Sequence, residues 1–294
     1  MSSSKPVGFV GLGQMGAPMA RRLLDWPGGL VVHDARPEAA TPLVAAGARA
    51  AGSAREVAAS AEVISVMVRD DAQVIEVLCG PEGVAGSAAP GTVVAIHSTI
   101  AESTATRLAR ELAPAGIEVV DAPVSGGAIG AHQGSLAVLV GASESAFQRC
   151  QEVFGYWSSL AMHAGPPGAG TRAKLARNLL HFVAFTAAAE AQRLAEAAGI
   201  DLVELGKVVR HSDAVTGGPG AIMLRPTTAA VAPDDPWFGI LSHVRDLGEK
   251  DLGLALRLAA ELGVDLPLAR LALDGFAAGL GVGPGWSTVE GEAP

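Results

Sequence analysis

Aromatic side chains are scarce in this chain, at 4% of 294 residues with a single tyrosine. A core must therefore be packed from Ala, Leu, Val and Gly, which suits close contact of helix on sheet. Charge is sparse too, at 17%, and it is unbalanced: 21 basic against 30 acidic residues give a net charge of −9. No segment supplies the Lys/Arg cluster that phosphates require, so a nucleic-acid partner and a bare anionic membrane are both excluded as expectations. Only two cysteines occur, Cys79 and Cys150. They make no disulfide framework and no CxxC, so a reducing cytoplasm is the expected setting and no metal is expected. The seven histidines lack metal-ligand spacing. Apolar runs of about 18 residues, the length of a membrane span, are missing. The start, Met1 to Pro6, reads as a short disordered lead rather than a targeting sequence.

What is present is an alternation. β-Branched runs at 7–10, 30–33, 63–68, 92–97, 118–121 and 137–140 are separated by Ala/Leu-rich helical stretches near 13–24, 37–46, 53–59, 71–78, 101–112 and 144–154. Strands apolar on both faces, each followed by a helix, predict an α/β Rossmann-type domain with a parallel sheet. Past Ala164 the alternation stops and helical spacing continues to the end. The Gly/Pro cluster at 165–168 marks the boundary, dividing a dinucleotide-binding domain, 1–165, from an all-helical domain, 166–294. A helix over 169–198 would be about 45 Å long at 1.5 Å per residue. That length predicts a helix that also serves a partner subunit.

The first strand runs into Gly11-Leu12-Gly13-Gln14-Met15-Gly16 and then a helix. Gly11 permits the turn, Gly13 lets backbone approach a pyrophosphate, and Gly16 lets the helix pack closely on the strand. The free N–H groups of the helix start face the phosphates. Asp34 ends the second strand about 20 residues on, where a carboxylate accepts the ribose hydroxyls of NAD and repels the phosphate of NADP. Arg36, two residues later, keeps NADP open; it also fits a solvated loop charge. Met67 and Val68, ending the third strand, complete the expected cofactor contacts.

Asp121-Ala122-Pro123-Val124-Ser125-Gly126-Gly127 follows another strand, at the carboxyl end where open α/β sheets bind ligands. The Ser125 hydroxyl and the N–H groups of Gly126 and Gly127 suit a carboxylate, although a Gly-rich turn reads the same way. Lys174 and Asn178, four apart near the start of the long helix, share one face. Alone, such a pair also fits a solvated surface. His181, one turn further, either lines a pocket or packs between helices, and Trp237 and Phe238 are open to the same two readings.

Four segments together resemble the β-hydroxyacid dehydrogenase family, which includes 3-hydroxyisobutyrate dehydrogenases, tartronate semialdehyde reductases and glyoxylate/succinic semialdehyde reductases. They are residues 11–19; 121–127 with Gly130-Ala131 and Gly134-Ser135-Leu136; Gly168-Ala169-Gly170 with Lys174 and Asn178; and Lys250-Asp251-Leu252. The resemblance implies a Rossmann domain followed by an all-α domain whose long helix is shared between subunits. It implies hydride transfer between a nicotinamide cofactor, with NAD preferred, and a small 3-hydroxy acid or its semialdehyde. Lys174 would be the acid/base, Ser125, Gly126 and Gly127 would hold the substrate carboxylate, and Asn178 would orient the reacting oxygen. Thr99 and Lys250 would touch the cofactor while Asp251 braces the site.

The chain departs from the family pattern in places. Arg177 stands where the family commonly has an Asn, and the tail 281–287 lacks the acid usual before its last aromatic, Trp286. Arg245-Asp246-Leu247 competes with Lys250-Asp251 for the Lys-Asp position; counting back from Pro267 favours the latter. Five residues turn a helix by about 500°, so only one pair can face a given cleft. Two rivals remain: an imine reductase of similar architecture, against which Lys174 speaks, and a non-catalytic dinucleotide sensor, against which Ser125, Lys174 and Asn178 speak.

Overall fold

The structure is a computed structural model describing residues 5–222, 225 and 227–283. The first four residues of the lead and residues 284–287 of the tail lie outside the described residues. Two compact units emerge, residues 1–177 and 178–294.

In the first unit, β1 (Val7–Val10), α1 (Gly16–Arg22), β2 (Leu30–His33), α2 (Thr41–Ala45), β3 (Arg49–Ala50), α3 (Ala54–Ala58) and β4 (Val63–Val66) come first. There follow α4 (Asp71–Cys79), β5 (Val93–Ile96), α5 (Glu102–Leu112), β6 (Glu118–Asp121), β7 (Val124–Ser125), α6 (Gly127–Gln133), β8 (Leu136–Gly141), α7 (Glu144–Phe154) and β9 (Ser158–Gly165). Local chemistry sets several of these starts. Ser53 caps α3 by accepting from Glu56 N at 3.2 Å, while the Glu56 carboxylate accepts from Gly52 N at 2.7 Å. Asp70 and Gln73 repeat this reciprocal arrangement at α4, with both hydrogen bonds 3.0 Å long.

The sheet runs β3-β2-β1-β4-β5-β6-β8-β7, with β9 paired to β8. Strands β3 to β6 are parallel in register, as expected, but β8 runs antiparallel to β6 and β7. The chain reverses between β7 and β8 through Gly126, Gly127, α6 and Gly134, the three glycines having φ values of +131°, +63° and +70° that are open to glycine. Strands β3, β7 and β9 escape a pattern search, because two are only two residues long and β9 exposes Ser159, Leu160 and Met162.

Each sheet face buries its own core. One holds Phe9, Met19, Leu23, Leu136, Phe154 and Trp157 beneath α1, α6 and α7; the other holds Ile64, Leu78, Ile96 and Leu108 beneath α3, α4 and α5. Burying each such side chain contributes about 1.5–3 kcal/mol. The doubly wound layering leaves the carboxyl ends of the strands free for ligands.

Helix α8 (Ala169–Ala197) begins in the first unit and has 29 residues, close to the expected length. The second unit contains its remainder with α9 (Leu202–Thr216), α10 (Pro236–Leu262) and α11 (Pro267–Leu280). Here α10 meets α11 where Gly248 faces the Phe276 ring; an added Cβ would lie 2.2 Å from Phe276 Cε1. Glu190 of α8, buried, accepts from Leu268 N at 2.8 Å and Ala269 N at 3.0 Å, capping α11.

Candidate active site

The glycine loop divides its labour as the sequence implies. Gly11 has φ +92°, and a Cβ there would strike Met67 O at 2.2 Å; a Cβ on Gly16 would strike Gly11 O at 1.9 Å. Gly13 is different, because nothing of the protein lies within 4 Å of where its Cβ would be. Packing within the protein therefore does not require a glycine at this position. Above the loop lies a groove of about 920 Å³ lined by Gly11, Gly13, Gln14, Met15, Gly16, Asp34, Arg36, Met67 and Val68. Leu12 is buried and contributes its backbone, its N–H donating to Asp34 Oδ2 at 2.7 Å.

Asp34 Oδ1 accepts from Arg36 N at 2.9 Å, and the Arg36 guanidinium stands 3.5 Å from the same oxygen. A carboxylate is thus held at the groove rim beside an exposed cation. On the opposite wall Ser98 holds Val68, accepting from its N–H at 2.9 Å and donating to its carbonyl at 2.6 Å. Thr99, next in sequence, is exposed and is not among the groove-lining residues.

The second cluster gathers around β8. Ser125 pairs with Ala137 of β8, and exposed Gly126 and Gly127 follow it directly. From the other direction, Gly170 of α8 lies so close to β8 that a Cβ would sit 2.3 Å from Leu139 O and 2.7 Å from Gly141 N. The buried Asp121 carboxylate completes the joint, accepting from Gly168 N and Thr171 N at 2.6 Å each. Burial raises its pKa, and those N–H groups oppose the rise. This joint brings the start of α8 and the Ser125 loop onto one strand.

Lys174, one turn beyond Gly170, is buried, and its pKa falls to about 8. Desolvation is the larger cause, and the positive charge of Arg177 adds to it. Burial of an amine without ion pairing is what makes a lysine able to give and take protons near neutral pH. Asn178, Lys250 and Asp251 belong to the second unit. Asn178 is half-buried on α8; Lys250 and Asp251 are exposed on α10, with Nζ 3.2 Å from Oδ1. The competing Arg245 is engaged by Asp246 at 2.8 Å and by Gly283 O at 2.7 Å. Asp121 is readable in the sequence as a motif member and Ser98 only as the neighbour of Thr99, and nothing in their spacing announces what they hold.

Residues 6–165 match the family described as the NAD binding domain of 6-phosphogluconate dehydrogenase, and residues 168–286 the NAD-binding region of NADP-dependent 3-hydroxyisobutyrate dehydrogenase. An oxidoreductase of Mycobacterium tuberculosis is 63% identical over 94% of this chain and 93% of its own length. An NAD-dependent L-serine dehydrogenase of Pseudomonas aeruginosa is 36% identical over 92% of this chain and 90% of its own. The crystal structure of an oxidoreductase from Mycobacterium avium superposes with a TM-score of 0.91 at 55% identity, covering 95% of this chain and 99% of that one.

Proposed function

The chain belongs to the β-hydroxyacid dehydrogenase family, and from there we propose that it transfers a hydride between a nicotinamide cofactor and a small 3-hydroxy acid or the matching semialdehyde, with Lys174 as acid/base. One observation carries the reading: a buried amine of lowered pKa stands one turn into a helix that Asp121 ties to the strand end supporting Ser125. L-Serine, the substrate in the name of the Pseudomonas relative, is itself a 3-hydroxy acid.

The groove fits a dinucleotide, since Gly13 offers uncluttered backbone and Asp34 a fixed carboxylate at its rim. When bound, the nicotinamide supplies the hydride acceptor or donor. Gln14, Met15, Met67 and Val68 would flank the dinucleotide, and NAD is the preferred form because Asp34 repels a 2′-phosphate; Arg36 leaves weaker use of NADP. Ser125 Oγ and the Gly126 and Gly127 N–H groups hold the substrate carboxylate. In oxidation Lys174 Nζ takes the hydroxyl proton, and in reduction it returns one. The family resemblance assigns Asn178 to orienting the oxygen, Thr99 and Lys250 to the cofactor, and Asp251 to bracing the site. It also assigns the long helix to a homodimer or homotetramer and the division of labour to residues 1–165 and 166–294. Among the described residues no helix is long and apolar enough to cross a membrane; a cytoplasmic location belongs to the same proposal.

The test is NAD and NADP reduction with a panel of 3-hydroxy acids, and NADH oxidation with semialdehydes, for the wild type and Lys174→Ala. Turnover that disappears in the variant while NADH still binds supports the reading. Full activity in Lys174→Ala removes it, and tight NADH binding with no acid consumed identifies a sensor instead.

A further inference from the structure

His97 is completely buried at the end of β5, and the reaction as described has no use for it. Its Nδ1 lies 2.8 Å from Ala122 O and its Nε2 3.0 Å from Ser65 Oγ. A carbonyl can only accept, so Nδ1 carries the hydrogen; Nε2 then accepts from the Ser65 hydroxyl. Burial holds the ring neutral, its pKa lowered to about 4. Phe9, Phe154 and Trp157 box it in, with ring centroids 6.5, 5.4 and 5.0 Å away. The ring is thereby fixed in tautomer and orientation.

What it holds is the chain leading to the anion loop. Asp121 is tied to α8, Pro123 O accepts from Leu139 N at 3.0 Å, and Ser125 is paired to β8. Between these anchors the buried Ala122 carbonyl turns toward His97, three residues before Ser125. The next residue, Ser98, grips Val68 at the cofactor groove through both its hydrogen bonds.

We propose that His97 is a positioning residue for the carboxylate-binding loop, and that the His97-Ser98 dipeptide braces two loops at once, His97 holding the substrate side and Ser98 the cofactor side. The inference rests on the reading of Ser125, Gly126 and Gly127 as the carboxylate cradle. It predicts separable effects from adjacent residues.

The experiment compares His97→Phe, His97→Asn and Ser98→Ala with the wild type, reading KM for the hydroxy acid, Kd for NADH and amide hydrogen exchange over residues 122–127. In His97→Phe, which keeps a ring but no donor, KM and loop exchange should each rise about tenfold, the scale of one buried hydrogen bond, with Kd for NADH within about twofold. His97→Asn, whose amide can replace the Nδ1 donor, should recover most of both. Ser98→Ala should do the reverse, weakening NADH and sparing KM. Unchanged KM and exchange in a folded His97→Phe would overturn the proposal, as would parallel losses in KM, Kd and melting temperature, which mark a packing residue only. If His97→Phe does not fold, His97→Leu, which likewise removes the donor to Ala122 O, is held to the same pattern. Should the wild type turn over no hydroxy acid, the proposed function fails, yet loop exchange still decides whether His97 positions the loop.

Discussion

The Asp121 carboxylate accepts the Thr171 backbone N–H at 2.6 Å, joining the end of a strand to the first turn of a helix 50 residues later. With the matching bond from Gly168, it satisfies two of the donors that a helix start leaves open. This joint fixes the start of the helix that carries Lys174. Asp121→Ala should therefore lower stability by about 2–4 kcal/mol, leaving buried N–H groups without acceptors. Turnover should fall by more than the folded fraction does. Thermal melts beside kcat measurements on the folded enzyme check this, and a kcat that merely tracks folding would break the link to Lys174.

The Lys174 amine titrates near 8, so the two reaction directions should show opposite pH profiles. Oxidation needs the free amine and should rise through pH of about 8; reduction needs the ammonium and should decline across the same range. Arg177→Gln removes the secondary cause of the shift and should move both midpoints upward. Stability follows the same sign. The fold bears the cost of a buried charge below about 8, and that cost fades as pH climbs from there toward the ordinary 10.5. Initial rates from pH 6 to 10 in both directions test it; parallel profiles would exclude Lys174 as the proton carrier.

Gly13 and Gly16 should respond differently to the same added methyl. Gly16→Ala drives a Cβ into Gly11 O and should destabilise the unit outright, whereas Gly13→Ala meets no protein atom. Its melting temperature should match the wild type while NADH affinity drops by about tenfold or more, because only a bound pyrophosphate needs that space. Calorimetric titration and thermal melts separate the two, and undiminished affinity in Gly13→Ala would move the dinucleotide elsewhere.

Helix α8 carries Leu179, Phe182 and Val183, exposed by 68%, 59% and 46%, at helical spacing of three and four. The shared helix of the proposed function would cover this apolar surface with a second subunit. Phe182→Asp combined with Val183→Asp should reduce the mass seen by light scattering to that of one chain. A wild type that is already monomeric at micromolar concentration would refute the shared helix.

Much of this was legible in the sequence because it is local. The glycine loop, the strands over 7–10, 30–33 and 118–121 and the helix over 144–154 follow from short-range patterns, and each is found where the pattern lies. What hid from view depends on distant partners. Asp121 reads as a motif acid until Gly168 and Thr171 reach it from 47 and 50 residues away. His97 carries no metal spacing and so looks idle, yet its partners are a hydroxyl and a carbonyl 32 and 25 residues off. The antiparallel turn of β8 runs through positive-φ glycines and the helix α6, which composition alone does not disclose.

Glu190 has a further implication for how the helical unit holds together. Helix α11 begins on Leu266 and Pro267 without a side-chain cap of its own, and borrows a carboxylate from 78 residues upstream. Without α11 in place the buried carboxylate would lose both amides that it accepts from, a costly state for an ionised group. The stability of α8 is thereby coupled to that of α11, so a change that loosens the later helix should also be felt in the earlier one.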